Sequence, residues 1–167
     1  MPIIVGEGGP RDRERLALAT KRGRDIPNVR RRPRPPNSMV EAATLATMAH
    51  PTVQIRSRSS EYNCMGLVFA SRRTWIDSGE LSRILGEDGF KQITPASAQP
   101  GDVLVYRDQI GESVHVGWVY SHEAQPAAAT WKTTVLSQWG GDGEYFHEAE
   151  DVNPLLGKPA EYWTDRL

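Results

Sequence analysis

The sequence predicts an α+β fold, with helices in the first half of the chain and an antiparallel sheet in the second half. Helical apolar spacing is confined to residues 38–86, whereas short β-branched and aromatic segments separated by turn clusters follow from residue 90 onward. The chain has 167 residues, about the length of one domain. We therefore expect the helices and the sheet to share one core.

The first predicted helix begins at Ser38 and runs to about His50, before a proline. Ser38 and Glu41 have the spacing of a capping box, in which the serine caps the helix start and the glutamate bonds back to the cap amide. We expect the ordered domain to cover residues 38–167 and to begin at this cap.

The second predicted helix begins at Cys64, which opens the apolar run CMGLVFASRRTWI and therefore lies in the first turn. A shorter helix is predicted from Leu81 to Leu85, ended by Gly86. Five strands are predicted after these helices, at residues 90–94, 103–107, 113–121, 130–139 and 144–149.

Residues 1–37 form a basic arm or linker in this prediction. They hold ten Lys/Arg against four Asp/Glu, whereas residues 38–167 hold ten against seventeen. The arm is poor in large apolar residues and Pro-rich at its end, so most of it should be mobile or draped over the acidic body, with room for a short helix over residues 11–22. A solvated linker is the favoured interpretation. Nucleic-acid binding is the alternative, although no aromatic residues are interleaved for base stacking.

Composition excludes several classes of protein. No apolar run approaches the roughly 20 residues that cross a bilayer, so we expect no membrane insertion. The N-terminus lacks the apolar region of a signal peptide, which predicts a chain that starts in the cytoplasm. The single cysteine excludes an internal disulfide. The four histidines lack metal-ligand spacing, so we expect no metal and no other cofactor.

Cys64 is the first candidate for chemistry, because amides and the positive dipole end at a helix start favour the thiolate. His115 lies in a predicted strand among apolar residues, and a histidine can take a thiol proton and later return it to a leaving group. Each residue also has a structural interpretation. A lone cysteine is often a small buried apolar residue, and a strand histidine often belongs to the core.

Three sequence blocks resemble the NlpC-type papain-like cysteine peptidases, in the same order. They are YNCMGLV from Tyr62, QPGDVLVY from Gln99 and HVGWVY from His115. The C-terminal segment Glu161–Trp163 is similar to the closing aromatic helix of these domains. The resemblance implies a papain-like fold in which the nucleophile Cys64 starts a helix packed on the sheet that carries His115.

The same resemblance implies a thiol peptidase or amidase that hydrolyses peptide bonds of peptidoglycan without a cofactor. Backbone N–H groups at Cys64 and near Tyr62 or Asn63 would hold the oxyanion, and the residues close to the nucleophile would form a substrate subsite. A chain that starts in the cytoplasm would need a dedicated secretion system to reach peptidoglycan. It would then be an antibacterial effector or toxin, with an immunity or inhibitor protein as its partner.

The identity of the third catalytic residue stays open. The family has His, Asn or Gln on the strand after the catalytic histidine, and the corresponding strand here has no histidine but offers two candidates. Block alignment favours Ser137, and side-chain chemistry favours Gln138; these two neighbours point to opposite faces of a strand. His147 on the following strand is the third candidate.

The family also usually has Asp and Ser where this chain has Asn63 and Met65. These departures leave open a non-catalytic papain-like binding module. The basic start without a signal peptide leaves open a second alternative, an intracellular protein-modifying toxin (a deamidase, transglutaminase or acyltransferase).

Overall fold

A computed structural model describes residues 14–167 of the chain. Within these residues the fold is α+β, as predicted, with a large antiparallel sheet and few helices. No helix of this part of the chain is both long enough and apolar enough to cross a bilayer. The elements are β1 (Asn28–Val29), α1 (Pro36–Ala49), β2 (Gln54–Ser57), α2 (Cys64–Phe69), β3 (Trp75–Ile76), α3 (Leu81–Glu87), β4 (Lys91–Ile93), β5 (Val103–Arg107), β6 (Ser113–Gln125), β7 (Thr130–Gln138), β8 (Glu144–Glu148) and β9 (Lys158–Thr164).

The main sheet has seven strands in the order β2-β8-β7-β6-β5-β9-β4, and all its pairings are antiparallel. The central strand β6 pairs with β5, with His115 opposite Tyr106, and with β7, with Trp118 opposite Leu136. The β7 pairing begins at Trp118, so the first residues of β6 are paired with β5 alone.

Helices cover both faces of the sheet, so two apolar clusters replace the single core expected from the sequence. Side chains along each strand alternate between these clusters. One cluster joins α2 and α3 to Val103, Val105 and Val116. The other joins α1 to Leu104, Tyr106 and Val135. Directly paired residues share a face, so His115 lies on the α1 face with Tyr106.

Residues 14–37, predicted as an arm, are draped on the body. Ile26 is 4% exposed within the α2 cluster, and β1 pairs with β3. The Thr20 hydroxyl donates a 2.6 Å hydrogen bond to Glu87. Residues 14–22 form no helix, and residues 11–13 of the helix considered there lie outside the described part. The arm thus carries part of the core as well as basic charge.

The predicted start of α1 is wrong. The helix begins at Pro36, two residues before Ser38, and its cap position has no side-chain hydrogen bond. Proline suits a first helical position, because the missing N–H would have no partner there. The Ser38 hydroxyl instead accepts a 2.6 Å hydrogen bond from the Arg34 guanidinium, so it is not available as a cap.

The second helix is shorter than its apolar pattern indicates. It ends at Phe69, because the following residues Ser71 and Arg72 have φ of 49° and 64°, which turn the chain back. Ile76 of the same apolar run belongs to strand β3. The third helix continues past Gly86 to Glu87, and Gly89, with φ of 79°, follows it.

The C-terminal segment is a strand, so the expected closing helix is wrong. Glu161, Tyr162 and Trp163 lie in β9, where they pair with β5 on one side. Pro159 disfavours a helix here, and it lies at a register shift of the ladder, where the lost N–H is tolerated. Strand β2 was not predicted, because Gln54–Ser57 is a polar edge strand with mostly exposed side chains.

Strands β6 and β7 extend beyond the rest of the sheet as a two-stranded ribbon. The ribbon comprises residues 122–125 and 130–133, and its ladder ends with Gln125 opposite Thr130. Neither segment pairs with a further strand of the described chain. The His122 ring stacks on Trp131 with 4.5 Å between centroids and bonds the Pro95 carbonyl, which fastens one side of the ribbon to the body.

Candidate active site

Cys64 is the first residue of α2, and Asn63 caps the helix. The Asn63 Oδ1 accepts a 2.9 Å hydrogen bond from the Gly66 amide, and its Nδ2 donates to the Ile76 carbonyl at 2.7 Å. This residue therefore fixes the helix start and ties it to β3. The Asn63 side chain thus already has local partners, while the oxyanion role expected for this segment concerns backbone N–H groups and stays a prediction.

A glycine brings α2 close to the segment before β3. A Cβ on Gly66 would lie 1.7 Å from the Thr74 carbonyl oxygen, so no side chain fits between the two segments. This close approach sets the helix start against the sheet, where backbone hydrogen bonding at Val116 acts on the Cys64 thiol. The thiol therefore lies beside the peptide that follows His115.

His115 is 1% exposed and has no hydrogen-bond partner at either ring nitrogen within the described residues. Its ring meets Tyr106 edge-on, with 5.1 Å between centroids. Buried polar groups usually have partners, and each one that does not costs about 1–3 kcal/mol. The unpaired imidazole of His115 is therefore an exception among buried polar groups, which makes this residue a candidate for a functional role.

Cys64 and His115 line one cavity of about 370 Å³ together with Asn63 and Trp75. They approach it from opposite sides of β6, because Cys64 belongs to the α2 cluster and His115 shares the face of Tyr106. No hydrogen bond joins the sulfur to either ring nitrogen. The two predicted residues thus share a cavity but do not form a bonded pair in this conformation.

The pKa shifts of Cys64 and His115 agree with two side chains that do not bond each other. Burial raises the pKa of the Cys64 thiol, and backbone hydrogen bonding at Val116 and at the helix start offsets only part of that rise. Burial, with a smaller effect from His147, lowers the pKa of His115 to about 3. Near pH 7 this conformation holds a thiol beside a neutral imidazole.

The three candidates for a third residue take other partners. The Ser137 hydroxyl is 2.8 Å from His147 Nε2, His147 Nδ1 is 2.8 Å from the Glu148 carbonyl, and the Trp139 indole donates to Ser137. Gln138 points to the opposite face, as predicted from strand alternation, and donates to the Ser59 carbonyl at 2.8 Å. Ser137 and His147 share the α1 face with His115 but do not bond it.

Tyr62, the other predicted subsite residue, belongs to a buried ionic cluster that sequence reasoning missed. Its hydroxyl donates to Glu144, whose side chain is fully buried and also accepts two hydrogen bonds from Arg72, at 2.8 and 2.9 Å. Burial and then Glu144 raise the pKa of Tyr62 to about 12. Tyr62 therefore anchors the segment before Cys64.

Sequence reasoning also missed part of the cavity wall, because it is built from segments distant in sequence. The arm contributes Val29 and Arg31, the segment after α2 contributes Trp75 and Asp77, and the β7–β8 turn contributes Gly140. The cluster of arginines at residues 30–34 was the one signal present in the sequence.

No group of three or more His, Cys, Asp or Glu side chains within residues 14–167 is arranged to hold a metal ion. The chain matches no protein-family model, no curated protein and no solved structure.

Proposed function

We propose that the protein is a cysteine-dependent acyl-transfer enzyme, a peptidase or amidase with Cys64 as nucleophile and His115 as general base. One observation carries the proposal: Cys64 at a helix start and His115, whose buried imidazole has no partner within residues 14–167, line the same cavity. A core histidine would bond a neighbour. A catalytic His115 would bond the Cys64 thiol during the reaction, which would explain why its imidazole has no partner before it.

The proposed reaction begins when a His115 ring nitrogen takes the Cys64 proton. The thiolate attacks the carbonyl carbon of an amide, and backbone N–H groups at the start of α2 stabilise the oxyanion. The C–N bond then breaks, and the imidazolium returns its proton to the leaving amine. Water, deprotonated by His115, releases the acid and restores the thiol. For these steps the start of β6 must shift as well as the His115 ring, because His115 and Cys64 lie on opposite sides of this strand.

The substrate proposed first is the peptide portion of peptidoglycan, which rests on the resemblance of the three sequence blocks. A delivered antibacterial effector, with a matching immunity or inhibitor protein, is the corresponding biological role. A protein-modifying toxin is the competing role. Toxicity on periplasmic targeting would support the peptidoglycan substrate, whereas toxicity confined to cytoplasmic expression would support the protein target.

Burial raises the pKa of Cys64 in the conformation in which His115 does not bond it, but an imidazolium beside the sulfur would stabilise the thiolate. The proposal therefore predicts that iodoacetamide alkylates Cys64 with an apparent pKa below the roughly 8.5 of a free thiol. In His115→Ala we expect the alkylation rate at pH 6.5 to fall by about tenfold or more, because the proton acceptor is gone. Intact mass spectrometry reports the rate, and the single cysteine gives the signal one source.

His122→Ala is the matched control for this experiment, because His122 lies on the ribbon away from the cavity. Alkylation with a free-thiol pKa that is equal in the parent and in His115→Ala would overturn the proposal. That outcome would favour the second candidate, a non-catalytic papain-like binding module. The raised pKa of Cys64 and the absence of a Cys64–His115 hydrogen bond are the observations that support this second candidate.

A further inference from the structure

The arm places an arginine in the wall of the candidate active-site cavity. Arg31 follows β1, and the carbon at the centre of its guanidinium lies 3.8 Å from the centroid of the Trp75 ring. Both residues line the cavity that contains Cys64. A guanidinium on an aromatic face is held by a cation–π interaction, which fixes its position without using its N–H groups.

The neighbouring arginines of the arm are paired differently. Arg30 bonds Glu14 at 3.2 Å, and Arg34 bonds Asp142. Arg31 forms no ion pair with a carboxylate of residues 14–167. Arg31 thus brings to the cavity lining a charge that no carboxylate of these residues neutralises. Its planar set of donors is suited to a carboxylate or a phosphate.

Asp77 is the carboxylate among the described residues that line this cavity, and its role is local. Its Oδ1 accepts a 2.8 Å hydrogen bond from the Gly79 amide, which caps the turn before α3. The Arg31 guanidinium therefore lies on the Trp75 ring, while Asp77, the carboxylate in the lining of the same cavity, is bonded to a backbone amide.

We infer that Arg31 is a specificity residue, which binds an anionic group of the substrate beside the carbonyl that Cys64 attacks. This inference rests on the proposed acyl-transfer function and adds a substrate class to it: an acyl donor that carries a carboxylate close to the scissile bond. It also makes the basic arm part of the active site.

The test compares alkylation of Cys64 by iodoacetate and by iodoacetamide, which differ in one negative charge. In both reactions the thiolate sulfur bonds the methylene carbon and iodide leaves. The ratio of the two rate constants cancels the thiolate fraction, so it reports the charge near the sulfur and not the thiol pKa. Free cysteine under the same conditions provides the reference ratio.

We expect the iodoacetate-to-iodoacetamide ratio of the parent to exceed that of free cysteine by roughly three- to tenfold, since one charge near the sulfur acts at partly screened strength. In Arg31→Ala the ratio should fall to within about twofold of free cysteine, while Arg31→Lys keeps most of the preference. Arg22→Ala is the matched control, because Arg22 lies outside the cavity, and it should behave as the parent. Adding 0.5 M salt should lower the parent ratio.

Two outcomes would overturn the inference, and they are distinguishable. Rapid reaction with iodoacetamide and a ratio that Arg31→Ala leaves unchanged would reject the role of Arg31 and leave the proposed function standing. Reaction with neither reagent in the folded protein, with both reacting after unfolding in urea, would reject the proposed function and the inference together.

Discussion

Arg72→Met is expected to lower the free energy of unfolding by about 3 kcal/mol at pH 7, because it leaves the buried Glu144 carboxylate without its cation. Glu144 is fully buried, and Arg72 holds both of its oxygens. Burial alone would raise the pKa of Glu144, but the hydrogen bonds from Arg72 and Tyr62 outweigh it and hold that pKa below its usual value. Denaturation with urea at pH 7 measures the loss.

Arg73→Met is the matched control, because Arg73 is an exposed neighbour whose side chain bonds a backbone carbonyl and not a carboxylate. We expect its effect to stay within about 0.5 kcal/mol. The double variant Arg72→Met with Glu144→Gln should recover about half of the loss, since no charge remains buried.

The contribution of the pair also depends on pH. A carboxyl group with a lowered pKa stabilises the fold above its unfolded pKa and ceases to do so as the pH falls through its folded pKa. The penalty of Arg72→Met should therefore shrink towards pH 4. A penalty below 0.5 kcal/mol at pH 7 would show that the pair contributes nothing to stability.

His115→Leu is expected to stabilise the protein, by about 1 kcal/mol at pH 7.5, because it replaces an unpaired buried imidazole with an apolar side chain. The gain should grow as the pH falls. Burial keeps His115 neutral in the folded state down to a pKa of about 3, whereas an unfolded chain binds a proton near the ordinary value of 6.5. Between these values the unfolded state holds the extra proton, so the stability of the parent rises with pH.

One such group contributes a slope of about 1.4 kcal/mol per pH unit between about pH 4 and 6. His147, whose pKa burial lowers to about 4, adds a second slope that His115→Leu leaves in place. Urea denaturation at several pH values measures both. Equal slopes for the parent and His115→Leu would mean that the imidazole has a partner or is exposed. A stabilised variant that alkylates slowly would show that stability is sacrificed at this position for chemistry.

Five of the seven strands of the sheet, β4 to β8, could be predicted from sequence because they combine β-branched and aromatic residues with clear turns. The bounds of β5, Val103–Arg107, were predicted to the residue, and β7 and β8 to within one. Cys64 was placed in the first turn of a helix, and it is the first residue of α2. These features depend on neighbours in sequence, and local patterns describe them well.

The rest of the fold depends on contacts between distant segments. Strand β1 has two residues and exists through its pairing with β3, about 47 positions later. Segment Glu161–Trp163 resembled a helix of a known family, but it is a strand that pairs with β4 and β5. Tertiary pairing overrides local preference in both cases.

The candidate site shows the same division. The residue types at Cys64 and His115 indicated chemistry, and both do line one cavity. Which side of β6 each approaches depends on strand register, and the sequence does not specify register for a strand that is apolar on both faces. Arg31 could not be assigned either, because its relation to Trp75 follows from the path of a proline-rich segment with no periodicity.

The ribbon of residues 122–125 and 130–133 has a consequence for how the protein opens. Within residues 14–167 its two strands pair only with each other, and the Thr133 carbonyl at its base accepts one further hydrogen bond, from the Ala149 amide. About half of its amides therefore face away from the ladder, and the sheet can keep its order while the ribbon separates. Its amides should exchange with deuterium by local opening, orders of magnitude faster than those of β5, which exchange only when the whole domain unfolds. The His122 contact with the Pro95 carbonyl fastens the ribbon to the body, so His122→Ala should speed exchange in the ribbon and leave β5 unchanged.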